Sequence, residues 1–128
     1  MLDRLLNQLT EEFSLPAIES KGAHKELILT PGTPLSLHAH DPGFTITAPL
    51  GACPAQNKEE LFTQLMRANF LGQGTNGSVI SMDEQEKCLT LFQLVPYDLN
   101  YKAFKHAIED FVNFATYWKE IVDSYQKG

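Results

Sequence analysis

From Lys21-Gly22 to Pro54 the period of the chain is two, with a strand over His24–Thr30 and clean alternation beyond it, and this pattern constrains the chain more than any other feature. Leu35, Leu37 and Ala39 alternate with Ser36, His38 and His40. Phe44, Ile46, Ala48 and Leu50 then alternate with Thr45 and Thr47. A period of two gathers these side chains on one face of a strand, which a helix cannot do. Pro31-Gly32-Thr33-Pro34 and Asp41-Pro42-Gly43 interrupt the run with turn-forming residues. Three short strands joined by tight turns are therefore predicted, an antiparallel meander.

The flanking segments change to the 3.6-residue period of helices. Leu2, Leu5, Leu6, Leu9 and Phe13 fall on one face, with Asp3, Arg4, Asn7, Gln8, Glu11 and Glu12 opposite, and Pro16 stops the run. A second helix is predicted from Asn57, an N-cap with Glu60 as its capping-box partner, to about Leu71 before Gly72. It carries two adjacent apolar rows, Leu61/Leu65/Ala68 and Phe62/Met66/Phe70, so it must be covered on more than one side. A second copy of the protein is one such cover. Ser78–Met82 and Lys87–Val95 read as two more strands around the acidic turn Asp83-Glu84-Gln85-Glu86. A long helix capped by Asp98 or Asn100 closes the chain. It presents Phe104, Ile108, Phe111, Ala115, Trp118, Val122 and Tyr125, flanked by Phe114, Tyr117 and Ile121. The order α-βββ-α-ββ-α predicts one antiparallel α+β domain over residues 1–128.

Ten Lys and Arg against sixteen Asp and Glu leave a net charge of −6. That balance argues against nucleic acid and against an anionic membrane surface, which both select for cationic chains. Apolar runs are far shorter than the ~20 residues that span a bilayer. Met1-Leu2-Asp3-Arg4 places an acid where a targeting segment needs apolar residues. A reducing cytoplasm, with Cys53 and Cys88 as free thiols, is the expectation.

Candidate chemistry is sparse. Gly72-Gln73-Gly74-Thr75-Asn76-Gly77 spells GxGxxG, but it follows a helix and precedes a strand, the reverse of a dinucleotide site. His38 and His40 share a strand face with no third or fourth ligand nearby in sequence. Glu59-Glu60, Glu84/Glu86 and Glu109-Asp110 read as solvated faces, without the burial that general acid–base work needs. No catalytic residue, metal site or cofactor is assigned. The remaining signal is apolar: an amphipathic first helix and an open sheet, either of which can receive another polypeptide.

Several segments together carry a family resemblance. They are Phe70-Leu71-Gly72-Gln73-Gly74-Thr75-Asn76-Gly77, the run Leu91–Pro96 followed by Phe104, Asp110, Phe111 and Trp118, and the opening Leu5-Leu6, Leu9 and Leu15-Pro16. In these, and in size, charge and element order, the chain resembles the CesT-like class I type III secretion chaperones. The resemblance implies a strongly twisted antiparallel sheet and a cytoplasmic bacterial homodimer. It also implies binding of the extended N-terminal segment of secreted effectors without ATP hydrolysis, and leaves contact with the secretion apparatus open. Carried onto this sequence, it assigns dimer contacts to Leu61, Phe62, Leu65, Met66, Phe70, Ile80 and Met82. Effector contacts go to Leu2, Leu5, Leu6, Leu9, Phe13, Leu27, Leu29, Leu35, Leu37, Phe44 and Ile46. Two alternatives stand beside it: a regulatory module of similar fold that binds folded partners, and a ligand-binding or enzymatic α+β domain.

Overall fold

A computed structural model describes residues 2–15, 20–21, 24–30, 33–40, 43–54, 58–69, 78–82 and 88–126. The elements run α1 (Leu2–Phe13), β1 (Ser20–Lys21), β2 (His24–Thr30), β3 (Thr33–Ala39), β4 (Gly43–Ala52), α2 (Lys58–Asn69), β5 (Val79–Met82), β6 (Cys88–Pro96) and α3 (Tyr101–Gln126). The expected order holds, with the two-residue β1 added. The second helix's N-cap Asn57, the turns at Asp41-Pro42 and residues 83–86, and the glycine-rich segment 72–77 lie outside the described residues.

All strand pairs are antiparallel, and the sheet order is β1-β2-β3-β4-β6-β5. The meander β2-β3-β4 is as expected. β6 returns to pair along nearly the whole of β4, which puts β5 at the sheet's outer edge. One face follows from the register. Leu37 opposes Ile46, Phe44 opposes Val95, and alternation carries Leu27, Leu35, Ala48, Leu50, Leu89, Leu91 and Ile80 to the same side. All of these are buried, while Ala39, Gln93 and Met82 on the same side keep some surface.

The long helix α3 covers that face. Its Phe104, Ile108, Phe111, Ala115, Trp118 and Val122 are buried, and Phe104 packs against Phe44 with ring centroids 5.7 Å apart. Asn100 is the cap, its Oδ1 accepting the Ala103 N–H at 2.8 Å. The helix α1 lies beside α3 with Leu2, Leu5, Leu6 and Leu9 buried. It ends before Pro16: Leu15 N–H bonds Thr10 O, Ser14 N–H bonds Glu11 O, and Ser14 takes φ 53°. That is a Schellman cap with serine in the left-handed position glycine usually occupies.

Candidate protein-interaction surfaces

The two apolar rows of α2 part company in the folded subunit. Leu61, Leu65 and Ala68 are buried in its own core. Phe62 is half-buried and Met66 is 71% exposed. Facing them across the edge of the sheet stands β5, whose Met82 is 40% exposed. Between the two elements runs an apolar groove of about 340 Å³ lined by Phe62, Leu65, Met66, Ile80, Met82 and Leu89. Asn69 ties its walls together through hydrogen bonds with both backbone groups of Ile80. Of the positions assigned to a dimer contact, Phe62, Met66 and Met82 therefore keep surface for a partner. Leu61 has no exposed area, Leu65 and Ile80 form the groove floor, and Phe70 lies outside the described residues.

A second apolar surface lies on the sheet face opposite α3. Phe92 sits across from Val79 on one side and Thr47 on the other, and Leu94 across from Thr45. Val79, Phe92 and Leu94 are all exposed, Leu94 at 58%. Ile28, opposite Pro34, adds an exposed residue farther along the same face. Sequence reasoning did not single out these four. The signal was present in β6, where Leu89, Leu91 and Val95 fill one parity while Phe92 and Leu94 occupy the other. A strand apolar on both parities has two faces to cover.

Of the residues assigned to effector contact, Leu2, Leu5, Leu6, Leu9, Leu27, Leu35, Leu37, Phe44 and Ile46 are core. Each is needed under α1 or α3, so none offers surface while the subunit stays folded. Leu29 lies in β2, and its side chain is outside the described residues. Among the described side chains of that set Phe13 alone is exposed, with the Lys105 ammonium 5.2 Å from its ring centroid.

The end of α1 is anchored to α3 by charge. Glu12 accepts hydrogen bonds from Lys105 Nζ at 2.5 Å and from the Tyr101 hydroxyl. The Lys105 bond, then the Tyr101 bond, hold the Glu12 carboxyl below its ordinary range. Burial, then the bond to Glu12, pushes the Tyr101 hydroxyl up to about 12. At the other end of α1, Asp3 pairs with the buried Lys25 of β2 at 2.8 Å. Cys53 and Cys88 are free thiols. Among the described residues no group of three or more His, Cys, Asp or Glu is placed to hold a metal, and no helix is long and apolar enough to cross a membrane.

The model of the Tir chaperone protein (CesT) family matches residues 4–119. The chain belongs to that family. A protein of Chlamydia pneumoniae is 29% identical over 79 residues, a stretch spanning 61% of this chain and 60% of that relative's length. Solved structures share the fold. The HopA1–SchA chaperone–effector complex superposes with TM-score 0.74 at 14% identity, over 93% of each chain. The heterodimeric ExoU–SpcU complex from the type III secretion system of Pseudomonas aeruginosa gives 0.73 at 17%, over 94% of this chain and 96% of that one. The fold reaches further still: YbjN of E. coli, a candidate transcription regulator, gives 0.74 at 14%, over 98% and 93%. At such identities the likeness concerns architecture.

Proposed function

We propose that this CesT-family chain is a cytoplasmic, non-enzymatic chaperone. It acts as a homodimer that holds the extended N-terminal segment of one or more type III secreted effectors soluble and ready for secretion. The observation that carries the reading is the apolar surface left over once one subunit has folded. Phe62, Met66 and Met82 line a groove at one edge, and Val79, Phe92 and Leu94 form a patch on the open sheet face. Exposed apolar ground of this kind marks a site for another polypeptide. The groove suits a second copy, and the open face suits the client.

A client segment that is disordered when free loses about 1–2 kcal/mol per residue on ordering, so it needs many contacts along its length. The open face offers them without bond-making chemistry, and no ATP is required. A dimer doubles the surface and raises the effective concentration for the second half of the segment. The net charge of −6 favours basic clients. Phe13 and the anchored end of α1 are a further contact point, the one effector position of α1 with surface to give.

The test is capture of partners by the tagged chain from its native lysate, followed by limited proteolysis of the complex. Protection of an N-terminal stretch of the partner, lost in the double variant Phe92→Ser with Leu94→Ser, is the expected result. Capture that requires an intact folded domain overturns the chaperone reading and favours a regulatory module, the class to which YbjN is a candidate.

A further inference from the structure

In the outermost strand of the sheet, a side chain takes the place of a neighbouring strand. The Asn69 carboxamide accepts the Ile80 N–H through Oδ1 at 2.7 Å and donates from Nδ2 to the Ile80 carbonyl at 2.9 Å. Ile80 opposes Leu91 of β6 in register, yet its two peptide groups are bonded to α2. In an antiparallel ladder, alternate residues of an edge strand turn both groups outward, and an incoming strand must pair with those. An amide, one donor and one acceptor in a fixed plane, answers such a residue as a strand would.

β5 is short, four residues, but it lacks the charges, proline and bulge that blunt other sheet edges. Its sequence, Val79-Ile80-Ser81-Met82, has no charge and no proline, and its pairing with β6 shows no register shift. Val79 and Met82 are exposed apolar residues on its two faces. Without the carboxamide, the Ile80 groups would face an apolar groove, and pairing with a strand from another chain would be the way to satisfy them. We infer that Asn69 closes the β5 edge against strand addition, so that any partner on this side engages the α2–β5 groove through side chains and does not extend the sheet. This goes beyond the chaperone reading and stands whichever polypeptide fills the groove.

Amide exchange measured residue by residue in the full chain tests it. In N69A the protection of the Ile80 N–H is expected to fall about tenfold or more, while the β6 amides bonded to β4 keep theirs. The same variant is expected to form concentration-dependent assemblies larger than those of the unaltered chain, suppressed by adding S81K to charge the opened edge. Unchanged Ile80 protection overturns the inference, and so does lost protection with an unaltered association state. If N69A fails to fold, N69D decides. Its carboxylate still accepts the Ile80 N–H but cannot donate to the carbonyl until protonated. The Ile80 protection factor should then rise as pH falls through that titration, and a flat profile overturns the inference. A chain that shows this behaviour yet never dimerises refutes the dimer and leaves the edge closure intact.

Discussion

With a second copy seated on the α2–β5 groove as proposed, replacing Met66 with alanine should weaken association by about 30- to 700-fold and leave the subunit's own stability nearly unchanged. A methionine side chain taken fully out of water is worth about 1.5–3 kcal/mol. Met66 keeps 71% of its surface in water, so a partner copy can gain about 1–2 kcal/mol by covering it. Two-fold symmetry counts that gain in both copies, about 2–4 kcal/mol in all. At about 1.4 kcal/mol per tenfold, the stated range follows. The part of Met66 already packed in its own subunit contributes less than about 1 kcal/mol to folding. Leu61 on the same helix is the control. It has no exposed area, so Leu61→Ala should cost about 2–5 kcal/mol of subunit stability through the cavity it leaves. Sedimentation velocity over a concentration series reads the first variant, and urea unfolding at low concentration reads both. The reasoning is refuted if Met66→Ala associates like the unaltered chain, or if Leu61→Ala unfolds at the same urea midpoint.

Two more outcomes follow from close contacts and from titration. A Cβ at Gly43 would stand 2.1 Å from the Val95 carbonyl oxygen, which is backbone and cannot step aside; Gly43→Ala should therefore lower stability by about 1–3 kcal/mol or more, read as the urea midpoint. The anchor of α1 on α3 should be tightest near neutrality. Glu12 has a folded-state pKa below its usual 4.5, so its contribution is present above that value and is lost as pH falls through the depressed one. Tyr101, raised from 10 to about 12, contributes fully below pH 10 and loses its contribution as pH rises toward 12. Amide exchange at the C-terminal turn of α1 should accelerate at both extremes beyond its intrinsic pH dependence. Glu12→Gln should remove the acid limb; an unchanged acid limb in that variant would count against the anchor.

The meander and the last helix were legible because their periods are long and unmixed: alternation through Leu35–Ala39 and Phe44–Leu50, and a 3.6 period from Phe104 to Val122. The two-residue β1 has no room for a period, and Ser14 gives no sign in sequence of ending a helix as glycine would. The surfaces were only half legible. Sequence tells that α2 has two apolar rows, but not that the Leu61 row faces its own sheet and the Met66 row faces out. That choice depends on the roll of α2 about its axis, which Asn69 helps to fix through Ile80. Effector contacts were assigned to the meander's apolar parity because that parity is regular. Regularity of this kind is what a covered face requires, so Leu37, Phe44 and Ile46 went to the core. The exposed apolar patch arises instead from the less regular parity of β6, Phe92 and Leu94.

The residues left outside differ in kind from those within. Leucine, phenylalanine and isoleucine fill the core, which among the described residues holds no methionine, while Met66 and Met82 stand at the groove rim with Phe62. Methionine is unbranched and adapts to irregular neighbours, which suits a contact formed after each subunit has folded. The groove and the open patch meet at β5, whose alternating side chains serve both: Ile80 and Met82 turn to the groove side, Val79 to the face shared with Phe92. In the proposed two-fold dimer built on the groove, β5 of each copy would stand at the seam and bring Val79 of each patch close to it. A client that engaged both copies would gain avidity from their placement and not from any single strong contact. Closing the β5 edge serves the same end, since a sheet continued through the seam would consume the strand on which the two surfaces border.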